Sequence, residues 1–163
     1  MAENIEKLHY LKNRWSLWTH SSNNNDWSID SYEYVTTFES IESILTLYEN
    51  LPENIIKYSM LFIMKEGIKP IWEDKQNING GCFSYKINNK IVTKIWKELS
   101  YALMGETLSE YDIINGITIS PKKNFCIIKI WLDVSTLQDP SIISNIHNLQ
   151  QQGCLFKKHE PEF

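Results

Sequence analysis

The sequence predicts an α+β fold in which an antiparallel β-sheet carries helices on one face. Segments with the alternation and residue types of strands outnumber the segments with helical periodicity. The helical segments are dispersed between the strands, with few of the strand–helix–strand units that build a parallel sheet. With 163 residues, 42% of them hydrophobic, the chain is large enough to bury one core. We therefore predict a single domain over residues 10–163, preceded by a flexible polar arm over residues 1–9.

The first predicted elements are a strand and a helix. Residues 14–20 alternate as a strand does, with aromatic side chains on both faces. The polar loop that follows ends at Trp27, a large ring with no obvious core to enter. Thr36 and Glu39 have the spacing of a capping box, so we predict that a helix begins there. It should end near Asn50, because a proline follows two residues later.

A long loop separates the next two predicted strands. The strands cover residues 58–64 and 82–87, and the loop covers residues 65–79. Asn88 and Asn89 give a hairpin signal directly after the second strand. The loop carries the Trp72-Glu73 pair considered below.

The C-terminal half is predicted to alternate between helices and strands. Gly105 can end the first helix, and Asp139 followed by a proline is a strong signal for the start of another. The predicted helices cover residues 91–103 and 140–149, and the predicted strands cover residues 113–120, 126–134 and 154–158.

Composition excludes several classes of protein. The net charge of −4 argues against a generally basic nucleic-acid surface, so a nucleic-acid ligand would have to be gripped at one local feature. Cys82, Cys126 and Cys154 have no CxxC spacing, which favours reduced thiols over a zinc site. No apolar run approaches the ~20 residues needed to span a bilayer. We expect a soluble protein of the cytoplasm, with the nucleus as a second compartment.

The run from Gly67 to Asp74 carries the strongest functional signal. Trp72 offers the best aromatic face for a flat cation, and the carboxylate of Glu73 can accept hydrogen bonds from the edge of the same flat group. This combination suits a purine base that carries positive charge. The other tryptophans are scattered through the chain, so a second stacking partner must come from a distant segment, and Trp27 is our candidate.

The chain resembles the cap-binding translation initiation factor 4E family. The most specific match is Gly-Ile-x-Pro-x-Trp-Glu-Asp over residues 67–74, followed by Asn77 and the Gly80-Gly81 pair. The matching segments recur in family order and spacing over residues 9–18, 37–48, 62–81, 96–106 and 116–131. The resemblance implies a curved antiparallel sheet with three helices on its convex face and the 5′ cap of mRNA in its concave face.

The resemblance also assigns roles to residues of the concave face. Trp27 and Trp72 would sandwich the 7-methylguanine ring, and Glu73 would accept hydrogen bonds from N1–H and the exocyclic amine. The backbone N–H of Trp72 would serve O6, and Trp131 would pack against the N7 methyl group. A role as core aromatics stays open for Trp72 and Trp131. The remaining tryptophans are assigned to packing: Trp15, Trp18 and Trp96.

The phosphate-binding residues depart from the family pattern. Cys82 and Ile127 stand where basic residues are usual, and Lys122 stands where the family has an arginine. A lysine is a point charge and cannot form the bidentate fork of an arginine. Lys129 lies on the same strand face as Ile127 and can replace it, and Lys123 is the other candidate.

The partner-binding face departs as well. Family members present a tryptophan, a valine and leucines to a Tyr-x-x-x-x-Leu-apolar helix of a scaffold initiation factor. Here the tryptophan position is Leu45, the valine position is Ile41, and Lys97 stands where an apolar residue is usual. The predicted partner-binding residues are His9, Leu11, Ile41, Leu45, Lys97, Glu98 and Tyr101. Either a divergent partner uses this face or the face is no longer used.

We predict a cap-binding initiation factor without a cofactor. The alternative is a cap-binding repressor or decoy that holds capped mRNA without engaging a conventional scaffold, which the altered convex face favours. A metal-dependent RNA-processing enzyme is a distant alternative, because Glu73-Asp74-Lys75 contains the Glu-x-Lys of some metal nucleases. No further acidic cluster or nucleophile setting accompanies it, so we predict neither catalytic nor metal-binding residues.

Overall fold

Seven strands form one sheet in the computed structural model, which describes residues 7–143, 146, 149 and 153–159. Every neighbouring pair of strands is antiparallel, in the order β2-β1-β3-β5-β6-β4-β7. The strands are β1 (Tyr10–His20), β2 (Tyr32–Ser40), β3 (Met60–Lys65), β4 (Gly81–Asn88), β5 (Ile114–Pro121), β6 (Phe125–Leu132) and β7 (Leu155–Lys158). The six predicted strands are all present, and β2 is the one that the sequence did not indicate.

The described residues contain three α-helices: α1 (Ile41–Asn50), α2 (Glu53–Tyr58) and α3 (Val92–Met104). The predicted capping box at Thr36 and Glu39 is wrong, because both residues lie in β2 and pair with β1. Ser40 caps α1 instead and forms a capping box with Ser43. The proline that ends α1 also precedes α2, a helix that the sequence analysis missed.

The long helix predicted after Asp139 is wrong over residues 140–143, which the structure describes. The Asp139 carboxylate does accept a hydrogen bond from the Ser141 N–H, as an N-cap should. Only a 3₁₀ turn follows, over Pro140–Ile142, and Ile143 is already outside it. The rest of the predicted helix includes residues 144–145 and 147–148, which lie outside the described residues. Among the described helices, none has the length and apolarity to span a membrane.

The sheet has two different faces. One face packs against the helices and forms the main core, in which Trp15 of β1 and Trp96 of α3 are each at most 1% exposed. These two tryptophans therefore serve packing, as predicted. On the opposite face Met64, Cys82 and Trp131 form a smaller apolar cluster with Ile68. The α+β prediction, with helices on the convex face of a curved antiparallel sheet, is confirmed.

Two loops extend over the face that the helices leave uncovered. The loop between β1 and β2 carries Trp27, and the loop between β3 and β4 carries Trp72 and Glu73. Gly80, at the end of the second loop, lies so close to the Leu132 carbonyl oxygen that a Cβ atom would be 1.8 Å from it. A side chain at this position would push the loop off the sheet.

Candidate functional site

A cavity of about 320 Å³ lies on the face of the sheet opposite the helices. Aromatic and apolar side chains form most of its wall, and one carboxylate and two lysines supply charge. Its lining consists of Trp27, Tyr32, Met60, Phe62, Pro70, Ile71, Trp72, Glu73, Thr118, Ser120, Lys122, Lys129 and Trp131. All four predicted base-binding residues and two of the three predicted phosphate-binding lysines therefore meet at one cavity.

Trp27 is held by a tightly turned loop. Its side chain is 51% exposed, as the sequence analysis expected for a ring that closes a polar loop. The Asp26 N–H donates to the Asn24 side chain, and the Ser28 N–H donates to the Asp26 carboxylate. That second hydrogen bond lowers the pKa of Asp26. One face of the indole lies against the imidazole of His20, with 4.1 Å between the ring centroids and 5° between the planes.

Asp74 shapes the loop that carries Trp72 and Glu73. Its two carboxylate oxygens accept hydrogen bonds from the backbone N–H groups of Lys69 and Gln76, each at 2.9 Å. A carboxylate engaged in this way closes the turn on both sides of Trp72. Asp74 therefore has a structural task here, which leaves Glu73 as the carboxylate of this pair that lines the cavity.

Two buried asparagines fix the same loop from below. Asn77 is fully buried, and its side-chain amide donates to the backbone carbonyls of Lys69 and Ile71. Asn115 of β5 donates to the Asn77 side-chain oxygen at 2.9 Å and to the Gln76 carbonyl at 2.8 Å. Asn77 belongs to the predicted motif, whereas Asn115 was not predicted, because its contact with the loop depends on tertiary structure and leaves no local signal in the sequence.

Trp131 occupies a space that its neighbours leave open. Across the sheet it pairs with Gly116 of β5 and Cys82 of β4, two residues with small or absent side chains. The indole is 8% exposed and packs with Met64 and Ile68, with Trp72 and Trp18 against the same cluster. Trp131 is thus both part of an apolar cluster and part of the cavity wall. Trp18 serves packing, as predicted, but on the cavity side of the sheet.

The negative charge of Glu73 affects Tyr32, which lines the same cavity. Burial, and to a smaller extent the negative charge of Glu73, raises the pKa of Tyr32 to about 12. Tyr32 is therefore a neutral phenol at physiological pH, able to donate one hydrogen bond. Glu73 is itself exposed to solvent and takes part in none of the ion pairs of the described residues.

The lysines divide into two groups. Lys122 and Lys129 line the cavity, whereas Lys123 of the turn between β5 and β6 lies outside the lining. Lys129 lies between Thr118 of β5 and Ser84 of β4 in the register of the sheet. Lys129 therefore reaches the cavity from a strand of the sheet, and Lys122 reaches it from the turn between β5 and β6.

A second cavity of about 280 Å³ continues from Trp131 toward the edge of the sheet. It shares Trp72, Lys129 and Trp131 with the first cavity and adds Cys82, Lys157, Lys158 and His159. Lys157 pairs in register with Cys82, the position where the family resemblance led us to expect a basic residue. The strand was predicted, but the position of Lys157 beside Cys82 was not, because only the pairing of β7 with β4 brings it there.

His159 and Cys82 are neutral in this region. The His159 Nδ1–H donates to the Asn77 carbonyl at 2.8 Å. Burial is the main reason that the pKa of His159 lies below its ordinary value. Burial also raises the pKa of the Cys82 thiol, and the positive charge of Lys129 only partly opposes this. The positive charge in this cavity therefore comes from its lysines.

The predicted partner-binding residues lie on the helix side of the molecule. Ile41 and Leu45 of α1 are each 43% exposed and lie one turn apart. Tyr48 links this surface to α3, because its ring contacts Tyr101 edge-on at 5.7 Å and lies 5.9 Å from the Lys97 ammonium nitrogen. A shallow groove beside them is lined by Lys97, Glu98 and Tyr101, together with Glu53, Lys90, Thr93 and Lys94.

His9 and Leu11 precede this surface in the chain. The His9 backbone N–H and side chain both bind the Glu42 carboxylate, and the His9 carbonyl accepts a hydrogen bond from the Ile41 N–H. Leu11 is partly buried against the main core. His9 is therefore tied to the start of α1, although the sequence analysis assigned it to the N-terminal arm. Residues 1–6 of that arm lie outside the described residues.

The described residues offer no obvious metal site. Within residues 7–143, 146, 149 and 153–159, no group of three or more His, Cys, Asp or Glu side chains could hold a metal ion. The Asp74 carboxylate of the Glu-x-Lys stretch is already occupied by backbone N–H groups.

Comparison with known proteins identifies the family. The family model "Eukaryotic initiation factor 4E" matches residues 10–160. Among curated proteins, translation initiation factor 4E of Dictyostelium discoideum is 33% identical over 153 residues, covering 90% of this chain and 60% of that protein. Translation initiation factor 4E-3 of Caenorhabditis elegans is 29% identical over 145 residues, covering 82% of this chain and 57% of that protein. The chain thus spans about three-fifths of the length of these relatives.

Solved structures of similar fold include factors bound to cap. The complex of Caenorhabditis elegans initiation factor 4E-3 with the 4E-binding protein Mextli and a cap analog has a TM-score of 0.78 at 25% identity, covering 94% of both chains. Ascaris suum initiation factor 4E-3 with the m7G cap has a TM-score of 0.73 at 25% identity, covering 83% of this chain and 79% of that one. The family match over residues 10–160 shows that the chain belongs to the eukaryotic initiation factor 4E family.

Proposed function

We propose that the chain binds the 7-methylguanosine 5′ cap of mRNA in the cavity lined by Trp27, Trp72 and Glu73 and takes part in translation initiation. The observation that carries the proposal is the convergence of Trp27, Trp72 and Glu73, from two separate loops, on one cavity that Trp131 also lines. Relatives of similar fold have been solved with a cap analog and with the m7G cap. The family match and the relatives are initiation factors, which supports the proposal that the chain is a binding protein rather than an enzyme.

In this proposal the base stacks between the indoles of Trp27 and Trp72. Trp27 is half exposed and has only one face covered by His20, which leaves the other face for a ligand. The loop that carries Trp72 is fixed by Asn77 and Asp74, so little ordering is needed when a base arrives. Methylation at N7 makes the guanine ring cationic, and each stack then gains a cation–π contribution of about 2 kcal/mol when water is excluded.

Recognition of the guanine edge falls to Glu73 and to the backbone N–H of Trp72. The carboxylate accepts from N1–H and the exocyclic amine, and its negative charge complements the cationic base. The N–H of Trp72 serves O6, and the indole of Trp131 packs against the N7 methyl group. The apolar surroundings of Trp131 suit a methyl group better than a polar substituent.

The phosphates are bound by Lys122 and Lys129, which line the cavity. Lys123 is a further candidate from the same turn as Lys122. Lys157 compensates for the missing basic side chain at Cys82, because β7 brings it beside that residue at the edge of the sheet. Because the chain has a net charge of −4 and only a few lysines at the site, it binds one triphosphate rather than a length of RNA backbone.

The convex face binds a divergent scaffold or regulatory protein through Ile41, Leu45, Lys97, Glu98 and Tyr101. One relative has been solved with the 4E-binding protein Mextli. The patch of this chain is mixed, with exposed Ile41 and Leu45 on α1 and the Lys97 ammonium over the Tyr48 ring. The Lys97 charge beside the exposed apolar residues favours the second candidate function, a cap-binding repressor or decoy that does not engage a conventional scaffold.

Substitution of the two loop tryptophans tests the proposal. Trp27→Ala and Trp72→Ala should each weaken binding of 7-methyl-GTP by about 1–3 kcal/mol, the usual value of stacking between a base and an aromatic ring. Tyr10→Ala is the control, because Tyr10 is 72% exposed and lies outside the cavity. Binding is measured by isothermal titration calorimetry, and far-UV circular dichroism checks the fold. Unchanged affinity in either tryptophan variant would overturn the stacking assignment.

A further inference from the structure

We propose that His20 is a positioning residue for Trp27, whose imidazole ring holds the indole in its stacking orientation before a ligand arrives. The identity of the ligand rests on the proposed function. The orientation of Trp27 does not, because it can be measured without any ligand. Nothing in the sequence analysis pointed to His20, which was only the end of a predicted strand.

Trp27 needs support from outside its own loop. The loop is built of polar residues, and the indole is half exposed, so burial in a core does not fix its orientation. Of the rings described around it, Tyr32 is 6.4 Å away and tilted by 60°, whereas His20 is 4.1 Å away and nearly parallel. The imidazole is therefore the flat surface on which the indole lies.

His20 is itself held firmly. It is the last residue of β1, it is 2% exposed, and it pairs in register with Tyr32 on one side and Met60 on the other. A ring fixed between two neighbouring strands can transmit the rigidity of the sheet to a group in the loop above it. The exposed Trp27 thus rests on a side chain that belongs to the sheet.

The same imidazole also binds the backbone of the loop. His20 Nε2 lies 2.7 Å from the carbonyl oxygen of Asp26, the residue directly before Trp27, and 3.1 Å from the hydroxyl of Ser31. A carbonyl oxygen only accepts, so Nε2 must carry the proton and donate. One side chain therefore fixes the peptide that leads into Trp27 and the plane of the Trp27 ring.

Both hydrogen bonds of the imidazole involve the same nitrogen. His20 Nδ1 is buried and has no hydrogen-bond partner among the described residues, so the ring is tied to the loop through Nε2 alone.

Pre-organisation of this kind should appear in the association rate. If the indole visits the stacking orientation only part of the time, the apparent affinity falls by that fraction. We expect His20→Leu, which fills the buried volume without a flat ring, to slow association of 7-methyl-GTP about tenfold, with the dissociation rate changed less than about twofold. His20→Phe restores a flat ring and should recover most of the association rate.

The experiment combines stopped-flow fluorescence with acrylamide quenching. Stopped-flow with 7-methyl-GTP gives both rates for the wild type, His20→Leu, His20→Phe and the control Tyr58→Leu, which removes an exposed aromatic ring outside the cavity. Acrylamide quenching without ligand is compared for each protein with and without Trp27→Phe, which isolates the signal of Trp27. Quenching of Trp27 should rise in the Leu variant and stay near wild type in the Phe variant. Thermal unfolding of each variant is followed in parallel.

Each outcome bears on the proposal. Slow association and increased quenching in the Leu variant, both reversed in the Phe variant, support it. Wild-type rates and quenching in a folded Leu variant overturn it, and so does a Phe variant that behaves like the Leu variant. If the Leu variant does not fold, the Phe variant decides alone, since the proposal requires near-wild-type quenching of Trp27 there. Failure of the wild type to bind 7-methyl-GTP would refute the proposed function, while the quenching would still test His20.

Discussion

Replacing Glu73 by glutamine should reduce affinity for 7-methyl-GTP by about tenfold. Glutamine keeps the shape of the side chain, but it turns one acceptor into a donor that faces the donor edge of guanine. Hydrogen bonds to a charged group are worth about 1.5–3 kcal/mol, and the exposure of Glu73 argues for the lower end. A loss of about 1.5 kcal/mol corresponds to roughly a tenfold change in the dissociation constant.

The assay compares two ligands and one control variant. Calorimetric titration with 7-methyl-GTP measures the loss of affinity, and GTP, whose base is uncharged, is the comparison ligand. Glu53→Gln on α2 is the matched control, since it removes an exposed negative charge far from the cavity. The melting temperature should stay unchanged, because Glu73 makes no ion pair among the described residues. Wild-type affinity in the Glu73→Gln protein would refute the edge-recognition role.

Three further predictions address the phosphates, a buried histidine and the convex face. Ile127→Lys should raise affinity for 7-methyl-GTP by about 1 kcal/mol, the value of one more charge contact near water, and leave the nucleoside unchanged; an unaltered preference for the triphosphate would mean that another lysine already fills this place. Because burial lowers the pKa of His159, the unfolded state binds its proton more readily, so this residue should cost stability as the pH falls below 6.5. His159→Asn should therefore flatten the decline of melting temperature below pH 6.5, and an equally steep decline would contradict the assignment. A conventional Tyr-x-x-x-x-Leu-apolar peptide should bind weakly to the wild type, since it would bury the Lys97 charge, and tightly to Leu45→Trp with Lys97→Leu. Calorimetry measures the affinity for that peptide, and tight binding to the wild type would contradict the prediction of a divergent partner.

The sequence predicted the sheet well because its strands carry a local signal. Alternating and β-branched runs mark six of the seven strands, and Gly105 ends α3 as expected. The failures lie where tertiary structure overrides a local signal. Thr36 and Glu39 have the spacing of a capping box, but the segment around Thr36 is rich in β-branched residues and pairs with β1. The N-cap of α1 is Ser40, four residues after Thr36. Asp139 caps a single turn rather than a long helix.

The site was predictable as far as its residues form one motif. Trp72, Glu73 and Asn77 lie in a single run, Trp27 stands out as a large ring at the end of a polar loop, and the family resemblance adds Trp131. The supporting residues gave no such signal, because only tertiary contacts bring them to the site. Asn115 reaches the loop from β5, Lys157 reaches Cys82 through the pairing of β7 with β4, and the stack of His20 on Trp27 depends on the turn between β1 and β2.

The central claim is that the cavity selects a cationic guanine by stacking, and a fluorescence titration tests it most directly. The intrinsic tryptophan emission of the wild type is followed while 7-methyl-GTP is added, and the titration is repeated with GTP under the same conditions. The proposed sandwich of Trp27 and Trp72 predicts strong, saturable quenching by 7-methyl-GTP and almost none by GTP at equal concentration. Equal quenching by both nucleotides, or none by 7-methyl-GTP, would contradict it.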